Sequence, residues 1–388
     1  MKQGILAAGL AMLVQTVCFA FSEIPPLLTC SDGTQVTTKE QWETKRRPEL
    51  LELFRSQVYG RNLVERPDTL AFESESPDEV MLDGKAIRKL VKISYKGPGG
   101  TGEIHLRAFI PKQAKPAAAF LLICNRPADK NLDVTRAIKS EFWPVERIVE
   151  RGYAALAFWN GDVAPDRFNG FTNGLYRVFQ PDVTKRTPES GGAISAWAWG
   201  ASRVMDWIET EPLLDAKHVA VVGHSRGGKT ALWCAAQDQR FAMGCSNDSG
   251  CTGAKLNRGS SPKSEHIAQI TKNFRHWFCR NYDKYANNED ALPIDQHQLL
   301  ALIAPRICCV GSASKDAWAG PANEFESCKL ASPVWELYGL TGVAGIIFPL
   351  PNKSVSGGYV DYHLREGGHN LNEFDWNHYM DVADRFWK

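Results

Sequence analysis

Long apolar runs, each ending in small or polar residues, constrain the fold of this chain more than any other feature of its sequence. They are AAAFLLICN at 117–125, YAALAFWN at 153–160, HVAVVGHS at 218–225, FAMGCSND at 241–248, RICCVGSAS at 306–314 and AGIIFPL at 344–350. Strands that are apolar on both faces indicate a sheet covered on both faces, and such sheets consist of parallel strands joined by helices. Helical spacing of apolar residues at 191–210, 320–340 and 373–387 supplies those helices. The sequence therefore predicts a three-layer α/β sandwich with a mostly parallel central sheet.

The segment ahead of these runs has a different pattern. Residues 38–60 place their leucines and a phenylalanine on one side, as an amphipathic helix or a pair of helices does. Residues 86–97 and 103–112 alternate apolar with polar side chains and are joined by the turn-rich PGGTG, which predicts an antiparallel hairpin. We therefore expect one domain over residues 21–388, with a long polar loop at about 161–190 that covers one face and carries function.

The N-terminus has the organisation of a secretion signal. Lys2 precedes an apolar run at 5–19, and small residues follow up to Ala20. The run is too short to cross a membrane comfortably. A lipid anchor on Cys18 is an alternative, which the bulky Val17 disfavours. We expect residues 1–20 to be a signal peptide cleaved near Ala20, and the protein to be secreted or periplasmic with no membrane partner.

Charge and cysteine content exclude several classes of function. The 388 residues include 45 basic and 44 acidic ones, so the chain lacks the basic excess of a nucleic-acid-binding protein. No CxxC pair and no Cys/His cluster at zinc spacing occurs among the ten cysteines, and we expect no metal or other cofactor. Export permits disulfides, and Cys245, Cys251, Cys279 and Cys328 are the candidates, with their pairing left open.

The pentapeptide GHSRG at 223–227 lies where one apolar run ends and a run of small residues at helical spacing begins. It fits the pattern G-x-S-x-G, in which a serine occupies a sharp turn between a strand and a helix. Glycine on either side removes Cβ atoms that would clash, and the helix N-terminus favours a developing oxyanion. The motif predicts that Ser225 is the nucleophile of an acyl-transfer enzyme.

A serine nucleophile of this kind needs a base and an acid that follow it in the chain. His369 in REGGHNLNEFDW follows the last apolar strand and is the candidate base, with His363 and His378 as rivals. Asp316 in GSASKDAW and Asp248 in SNDSG each follow an apolar run, and either carboxylate can hold the imidazole. The position favours Asp316 and leaves Asp248 as its partner or substitute.

Two cations follow the nucleophile at close range. The guanidinium of Arg226 can join its own backbone N–H in holding an oxyanion, and Lys229 lies one helical turn from Ser225. Buried cations without acceptors are costly, so this pair predicts a polar or acidic substrate and disfavours a lipase. The alternative for Lys229 is a place on the exposed side of its helix.

The motifs GHSRGGK, SNDSG, DAWAGP and GGHN, with RRPELLELFRSQVYG near the N-terminus, resemble those of the glucuronoyl esterases, carbohydrate esterase family 15, over nearly the whole mature chain. The resemblance implies an α/β-hydrolase fold, no metal, and cleavage of the ester between the glucuronic acid side chains of xylan and lignin alcohols. It also implies the roles of individual residues: Ser225 as nucleophile, His369 as base, Arg226 at the oxyanion, and Lys229, Glu265 and Trp318 at the sugar. Fungal members have glutamate where this chain has Asp248, and some bacterial members use the later acid, so the choice between Asp248 and Asp316 stays open.

Two other interpretations fit the same residues. One is a different exported serine hydrolase, such as an acetyl xylan esterase or a peptidase. The other is a sugar-binding protein without catalysis, which would keep Trp318 but tolerate the loss of Ser225. If the chain is a glucuronoyl esterase, as the resemblance implies, its substrate is a glucuronoxylan or lignin–carbohydrate ester, and we expect the protein to act as a monomer.

Overall fold

The computed structural model of the protein describes residues 23–388, and the predicted signal peptide lies outside the described residues. The strands are β1 (Ala71–Ser74), β2 (Glu79–Met81), β3 (Ala86–Gly97), β4 (Gly100–Pro111), β5 (Ala117–Cys124), β6 (Ala154–Trp159), β7 (Leu214–His224), β8 (Met243–Asn247), β9 (Ile307–Ala313), β10 (Lys353–Val355) and β11 (Val360–Arg365). The α-helices are α1 (Lys39–Gln41), α2 (Arg47–Phe54), α3 (Ala128–Asn131), α4 (Val145–Glu150), α5 (Asn160–Val163), α6 (Leu175–Phe179), α7 (Ala193–Ile208), α8 (Arg226–Gln237), α9 (Ile267–Asn273), α10 (Gln296–Ala301), α11 (Pro321–Ala331), α12 (Pro333–Glu336) and α13 (Glu373–Trp387). No helix of this part of the chain combines the length and the apolar content that crossing a bilayer requires.

All eleven strands belong to one mixed sheet, in the order β1-β3-β4-β6-β5-β7-β8-β9-β11-β10, with β2 paired to β3. Strands β6, β5, β7, β8, β9 and β11 are parallel to one another, whereas β1 to β4 and β10 pair in the antiparallel sense, β4 with β6 and β10 with β11 included. The predicted hairpin is β3 with β4, which pair from Ala86 opposite Pro111 to Gly97 opposite Gly100. The mostly parallel sheet with an antiparallel N-terminal part is therefore confirmed.

Strand β5 shows why its sequence is apolar throughout. Leu121 and Ile123 belong to the larger of two buried apolar clusters, and Phe120 and Leu122 belong to the other. Neighbouring side chains of a strand point to opposite faces, so the two clusters cover the two faces of the sheet. Helices α2, α7, α8, α10 and α11 contribute to the larger cluster, and α4 and α13 contribute to the other. This arrangement gives the three layers that the sequence predicts.

The predicted strand at 344–350 is wrong. This segment lies outside the sheet, and Ile346, Ile347 and Leu350 are 79%, 80% and 74% exposed. Pro349 and Pro351 lack the N–H that a strand donates to its neighbour, which explains the failure of an apolar run to enter the sheet. The last parallel strand is instead β11, a less apolar segment with alternating polar residues.

The predicted disulfides are also wrong. The nine cysteines between Cys30 and Cys328 are all buried and all free. The thiols of Cys251 and Cys279 already have hydrogen-bond partners, at Asn257 Oδ1 and at the carbonyl oxygen of Ser56. Burial raises the pKa of Cys251 to about 12 and that of Cys279 to about 11, so both stay protonated and behave as small core residues.

Candidate active site

Ser225 lies in the single-residue gap between β7 and α8, at the carboxyl edge of the sheet. Its backbone has φ 57° and ψ −123°, a left-handed conformation that is strained for a residue with a side chain. The Ser225 N–H donates to the carbonyl oxygen of Asn247 over 2.8 Å and fixes the turn. A Cβ atom on Gly223 would lie 2.0 Å from the carbonyl oxygen of Gly227, so the first glycine of the motif cannot be replaced without moving the backbone. The local sequence thus forces the serine hydroxyl out of the sheet edge.

His369 lies in the loop between β11 and α13, and its ring is held by an acid. His369 Nδ1 donates to Asp316 Oδ2 over 2.6 Å; the imidazole is 45% exposed and the carboxylate 6%. His369 and Ser225 line the same cavity, which has a volume of about 200 Å³. Within residues 23–388 no hydrogen bond joins the two side chains, a common state of such pairs before substrate is bound. The structure therefore brings the predicted nucleophile, base and acid together at one sheet edge.

His224 is a neighbour that sequence reasoning missed. Its ring packs against that of His369 with centroids 4.4 Å apart, and its Nδ1 is 2.6 Å from Asn247 Oδ1. Burial, with the nearby His369, lowers the pKa of His224 well below its ordinary value. A neutral ring packs against the exposed imidazole without repelling a positive charge on it. The sequence feature that could have identified His224 is its position directly before Ser225 in the GHSRG motif.

The rival histidines are occupied elsewhere. His363 on β11 is fully buried and bonded to Asp375, with 2.8 Å between Nε2 and Oδ1. His378 on α13 is bonded through Nε2 to Asp361, with 2.5 Å between the two atoms. Neither ring lines the cavity of Ser225. Both belong to a buried network that connects β11 with α13.

Asp248 follows β8, next to Asp316, but its oxygens have different partners. Oδ1 accepts the N–H of Ala313 over 2.6 Å, and Oδ2 accepts the N–H of Asn370 over 3.3 Å and lies 3.5 Å from the Arg365 guanidinium. The carboxylate is buried and ties the β8 turn to the end of β9 and to the loop of the candidate base. In this geometry Asp316, and not Asp248, contacts the imidazole.

The surroundings of Asp248 disfavour its charged form. Burial raises its pKa well above the ordinary value, and the charges of Glu324, Asp375 and Asp316 add to this effect, while Arg365 opposes it. One carboxylate oxygen of Asp248, one of Asp316 and one ring nitrogen of His369 lie within 4.8 Å of one another. These are side chains of metal-binding types, but backbone N–H groups and a guanidinium already take up the Asp248 oxygens. Asp316 alone of the two acids therefore has an oxygen paired with the imidazole.

Arg226 is held from two sides. Its Nη2 donates to the carbonyl oxygen of Asn125 over 2.9 Å, and its Nε forms an ion pair with the carboxylate of Asp166. Asp166 also accepts hydrogen bonds from His276 Nε2 over 3.1 Å and from Trp277 Nε1 over 2.7 Å. Burial alone would raise the pKa of Asp166, but the bond from His276 and the charge of Arg226 lower it below its usual value. The guanidinium beside the nucleophile is thus fixed and charge-compensated.

Asp166 comes from the polar segment 161–190, whose functional position the sequence predicted without naming a residue. The segment is not a continuous loop, because α6 and a short 3₁₀ turn at Val183–Lys185 interrupt it. Its contribution to the site is the contact of Asp166 with Arg226, together with the bonds to His276 and Trp277. Sequence reasoning missed this residue because an aspartate in a turn-rich segment more often caps or closes a turn.

Lys229 is not an exposed helix residue. Its side chain is buried, its Nζ donates to the carbonyl oxygen of Ser249, and it lies 3.9 Å from a carboxylate oxygen of Glu265. Burial lowers the pKa of Lys229, and Glu265 opposes this shift. Both side chains line the cavity with Ser225, so the cavity has a fixed cation and a fixed anion within reach of one ligand.

Trp318 is the exposed aromatic side of the cavity. Its side chain is 47% exposed, and its carbonyl oxygen accepts the N–H of Glu265 over 2.9 Å. Phe274 and Trp277 line the cavity as well and are stacked on each other, with centroids 4.0 Å apart. The sequence predicted Trp318 and Glu265 but not this stacked pair, which lies in a segment without a recognisable motif. A flat aromatic rim with buried polar groups suits a sugar ring.

Larger concavities lie elsewhere on the molecule. One of about 610 Å³ lies between the β2–β3 turn and α4, and one of about 440 Å³ is lined by arginines of α7 and the α8–β8 turn. Neither is lined by Ser225 or His369, and most of their charged side chains are already paired, as Arg136 is with Glu146. The smaller cavity, lined by Ser225 and His369, is therefore the candidate active site.

Known proteins resemble this chain over most of its length. A family described as fungal glucuronyl esterase matches residues 117–339. A carbohydrate esterase from an unknown prokaryotic organism is 37% identical over 93% of this chain and 89% of its own length, and the 4-O-methyl-glucuronoyl methylesterase of Schizophyllum commune is 28% identical over 83% and 75%. The solved glucuronoyl esterase from Solibacter usitatus has a TM-score of 0.87 at 36% identity, covering 94% of this chain and 98% of that one. These likenesses, with the mixed sheet, confirm the predicted α/β-hydrolase fold.

Proposed function

The chain belongs to the glucuronoyl esterase family, carbohydrate esterase family 15, and we propose that it hydrolyses the ester between 4-O-methyl-glucuronoyl side chains of xylan and lignin alcohols. The names of its relatives support a carboxylic ester hydrolase that acts on glucuronoyl esters. The cavity supports the uronate part of the substrate, because it has polar partners for a sugar beside a serine that can attack an ester.

Acylation begins when His369 accepts the proton of the Ser225 hydroxyl and Oγ attacks the ester carbon. Asp316 keeps the imidazole in the required tautomer and stabilises the imidazolium, as its 2.6 Å bond to Nδ1 supports. The oxyanion lies against the N-terminus of α8 and the guanidinium of Arg226. His369 then gives its proton to the departing alcohol oxygen, which leaves as a neutral lignin alcohol.

Deacylation uses the same groups in reverse. The uronoyl group stays on Ser225 until water, activated by His369, attacks the acyl carbon. The second tetrahedral intermediate collapses with return of the proton to Ser225 Oγ. The products are the free serine and a glucuronic acid side chain that remains on the xylan.

Sugar recognition is assigned to Lys229, Glu265 and Trp318. The ester is neutral, so the site needs partners for hydroxyl groups and not a pocket for a carboxylate. A buried ammonium beside a buried carboxylate offers hydrogen-bond donors and acceptors to neighbouring sugar hydroxyls. The exposed indole of Trp318 supplies a flat surface for the apolar face of the ring.

The observation that carries the proposal is the joint presence, in one cavity, of Ser225 and His369 with the buried Lys229–Glu265 pair. The test compares hydrolysis of benzyl glucuronate and p-nitrophenyl acetate by wild type and Ser225→Ala. We expect wild type to prefer the glucuronate and Ser225→Ala to bind glucuronate without turnover. Preference for the acetate, with no cleavage of the glucuronate, would instead indicate an acetyl esterase or another serine hydrolase. Sugar binding by wild type without any turnover would indicate a binding protein.

A further inference from the structure

Glu324 is a buried carboxylate behind the cavity that the catalytic steps do not use. It lies in the first turn of α11 and is fully buried. One oxygen accepts the Gly250 N–H over 2.8 Å and the Ser249 hydroxyl over 3.2 Å, and the other accepts the Ser312 hydroxyl over 2.5 Å. Glu324 therefore connects α11 with the turn after β8 and with β9.

The bonds to Ser249 and Gly250 act on the substrate-facing surface. Ser249 and Gly250 both line the cavity, and the carbonyl oxygen of Ser249 accepts from Nζ of Lys229. A Cβ atom on Gly250 would lie 3.2 Å from Cα of Ala319, so the turn is also packed against the segment that carries Trp318. A displacement of this turn would move the acceptor that orients the Lys229 ammonium.

The carboxylate of Glu324 is buried, and within residues 23–388 no cation forms an ion pair with it. The charge of Asp316 raises the pKa of Glu324. The charge of Glu324 in turn raises the pKa values of Asp248 and Lys229. Burial raises the pKa of Glu324 to about 7, against the three hydrogen bonds that favour its charged form. A buried acid without a cation is costly, which makes a purely space-filling role a poor explanation for it.

We propose that Glu324 is a positioning residue that fixes the Ser249–Gly250 turn and, through the Ser249 carbonyl, the Lys229 ammonium that binds the sugar. The inference rests on the proposed function for the identity of the sugar. Glu324 does not line the cavity, so we expect it to act without contact to the substrate. Its loss should therefore weaken glucuronate recognition far more than it weakens acyl transfer.

The experiment measures KM and kcat of Glu324→Ala for benzyl glucuronate and for p-nitrophenyl acetate, which lacks a sugar. We expect a roughly tenfold higher KM for the glucuronate, a kcat within about threefold of wild type, and acetate kinetics within about twofold. Glu324→Gln keeps the oxygen that accepts from Gly250 and should stay within about threefold of the wild-type KM. Glu326→Ala on the exposed side of α11 is the matched control and should leave both substrates unchanged.

Non-additivity with Lys229 separates positioning from a general structural effect. If Glu324 acts through Lys229, the double variant Lys229→Ala/Glu324→Ala has the KM of Lys229→Ala alone, whereas additive effects overturn the proposal. An unchanged glucuronate KM in a folded Glu324→Ala, or equal damage to both substrates, also overturns it. Should Glu324→Ala fail to fold, Glu324→Asp decides in the same way, since it keeps the charge but withdraws it from Gly250.

Failure of the proposed function is distinguishable from failure of this inference. If wild type does not cleave benzyl glucuronate, the function is wrong, and the affinity for methyl glucuronate in wild type and Glu324→Ala still decides the positioning role. A roughly tenfold weaker affinity in the variant supports it, and equal affinities overturn it.

Discussion

Two neighbouring turns at the carboxyl edge of the sheet, one after β8 and one after β9, each carry an aspartate, yet the two acids have different surroundings. Asp316 in the second turn accepts from His369 and from one backbone N–H, that of Ala319. Asp248 in the first turn is in the left-handed region, with φ 44°, and accepts from two backbone N–H groups beside a guanidinium. Their places in the fold are equivalent, so the difference lies in which groups are already bound.

Of two acids close to an imidazole, the one that can hold the ring is the one with an oxygen that no other group has bound. Asp248 connects three segments, and burial, together with the charges of other buried acids, raises its pKa. Asp316 keeps one oxygen for the imidazole. We infer that the β9 turn serves proton transfer, whereas the β8 turn, through Ser249, serves sugar binding.

The largest expected effect tests the β9 turn. Asp316→Ala should lower kcat on benzyl glucuronate by about 1,000- to 10,000-fold, because the imidazole loses the partner that holds its tautomer and stabilises its charge. Steady-state kinetics of the purified variant measure this directly. A smaller loss than that of Asp248→Ala, measured side by side, would reverse the roles of the two turns.

The next effect tests the β8 turn. Lys229→Ala should raise KM for benzyl glucuronate by about 10- to 100-fold, since hydrogen bonds to a charged donor are worth about 1.5–3 kcal/mol. Hydrolysis of p-nitrophenyl acetate by the same variant is the control and should change little. Equal losses on both substrates would mean that the lysine supports the fold and not the sugar.

A smaller effect is expected from the titration of Glu324, which connects the β8 turn with β9. The folded chain keeps a proton on Glu324 between its ordinary pKa of 4.5 and about 7, whereas the unfolded chain releases it, so the free energy of unfolding falls as pH rises through this range. Glu324→Gln does not titrate and should gain about 2 kcal/mol relative to wild type between pH 5 and pH 7.5. Urea unfolding at both pH values measures the gap, and a gap that does not change with pH would contradict the shift.

The smallest effect is expected at Asp248, and it tests whether this acid takes part in proton transfer. Asp248→Asn keeps an oxygen for the Ala313 N–H and removes a charge whose formation burial already disfavours. We expect kcat within about threefold of wild type, since the imidazole keeps its own acid. A loss of 100-fold or more in kcat would show that Asp248 takes part in proton transfer.

Local rules sufficed for the elements that position the site, and long-range contacts account for what they missed. The sharp turn at Ser225 follows from two glycines at the end of a strand, and the positions of His369 and Asp316 follow from strand ends that share one edge. The strand at 360–365 shows only an alternation around His363 and no apolar run, because Asp361, His363 and Arg365 are polar and are buried against partners on α13. Asp166 and Glu324 gain their roles in the same way, from contacts across 60 and 75 residues of chain, with Arg226 and Ser249. No pattern within a short window predicts such pairs.

The positive φ of Ser225 lowers the stability of the fold at the residue that carries the candidate nucleophile. A side chain in that region costs about 1–3 kcal/mol, which glycine would not incur. The free energy of unfolding of this chain is therefore lower by that amount than it would be with glycine at position 225. Only glycine at this position relieves the strain, because the Cβ atom and not the hydroxyl causes it, so replacement by glycine gains stability where replacement by alanine does not.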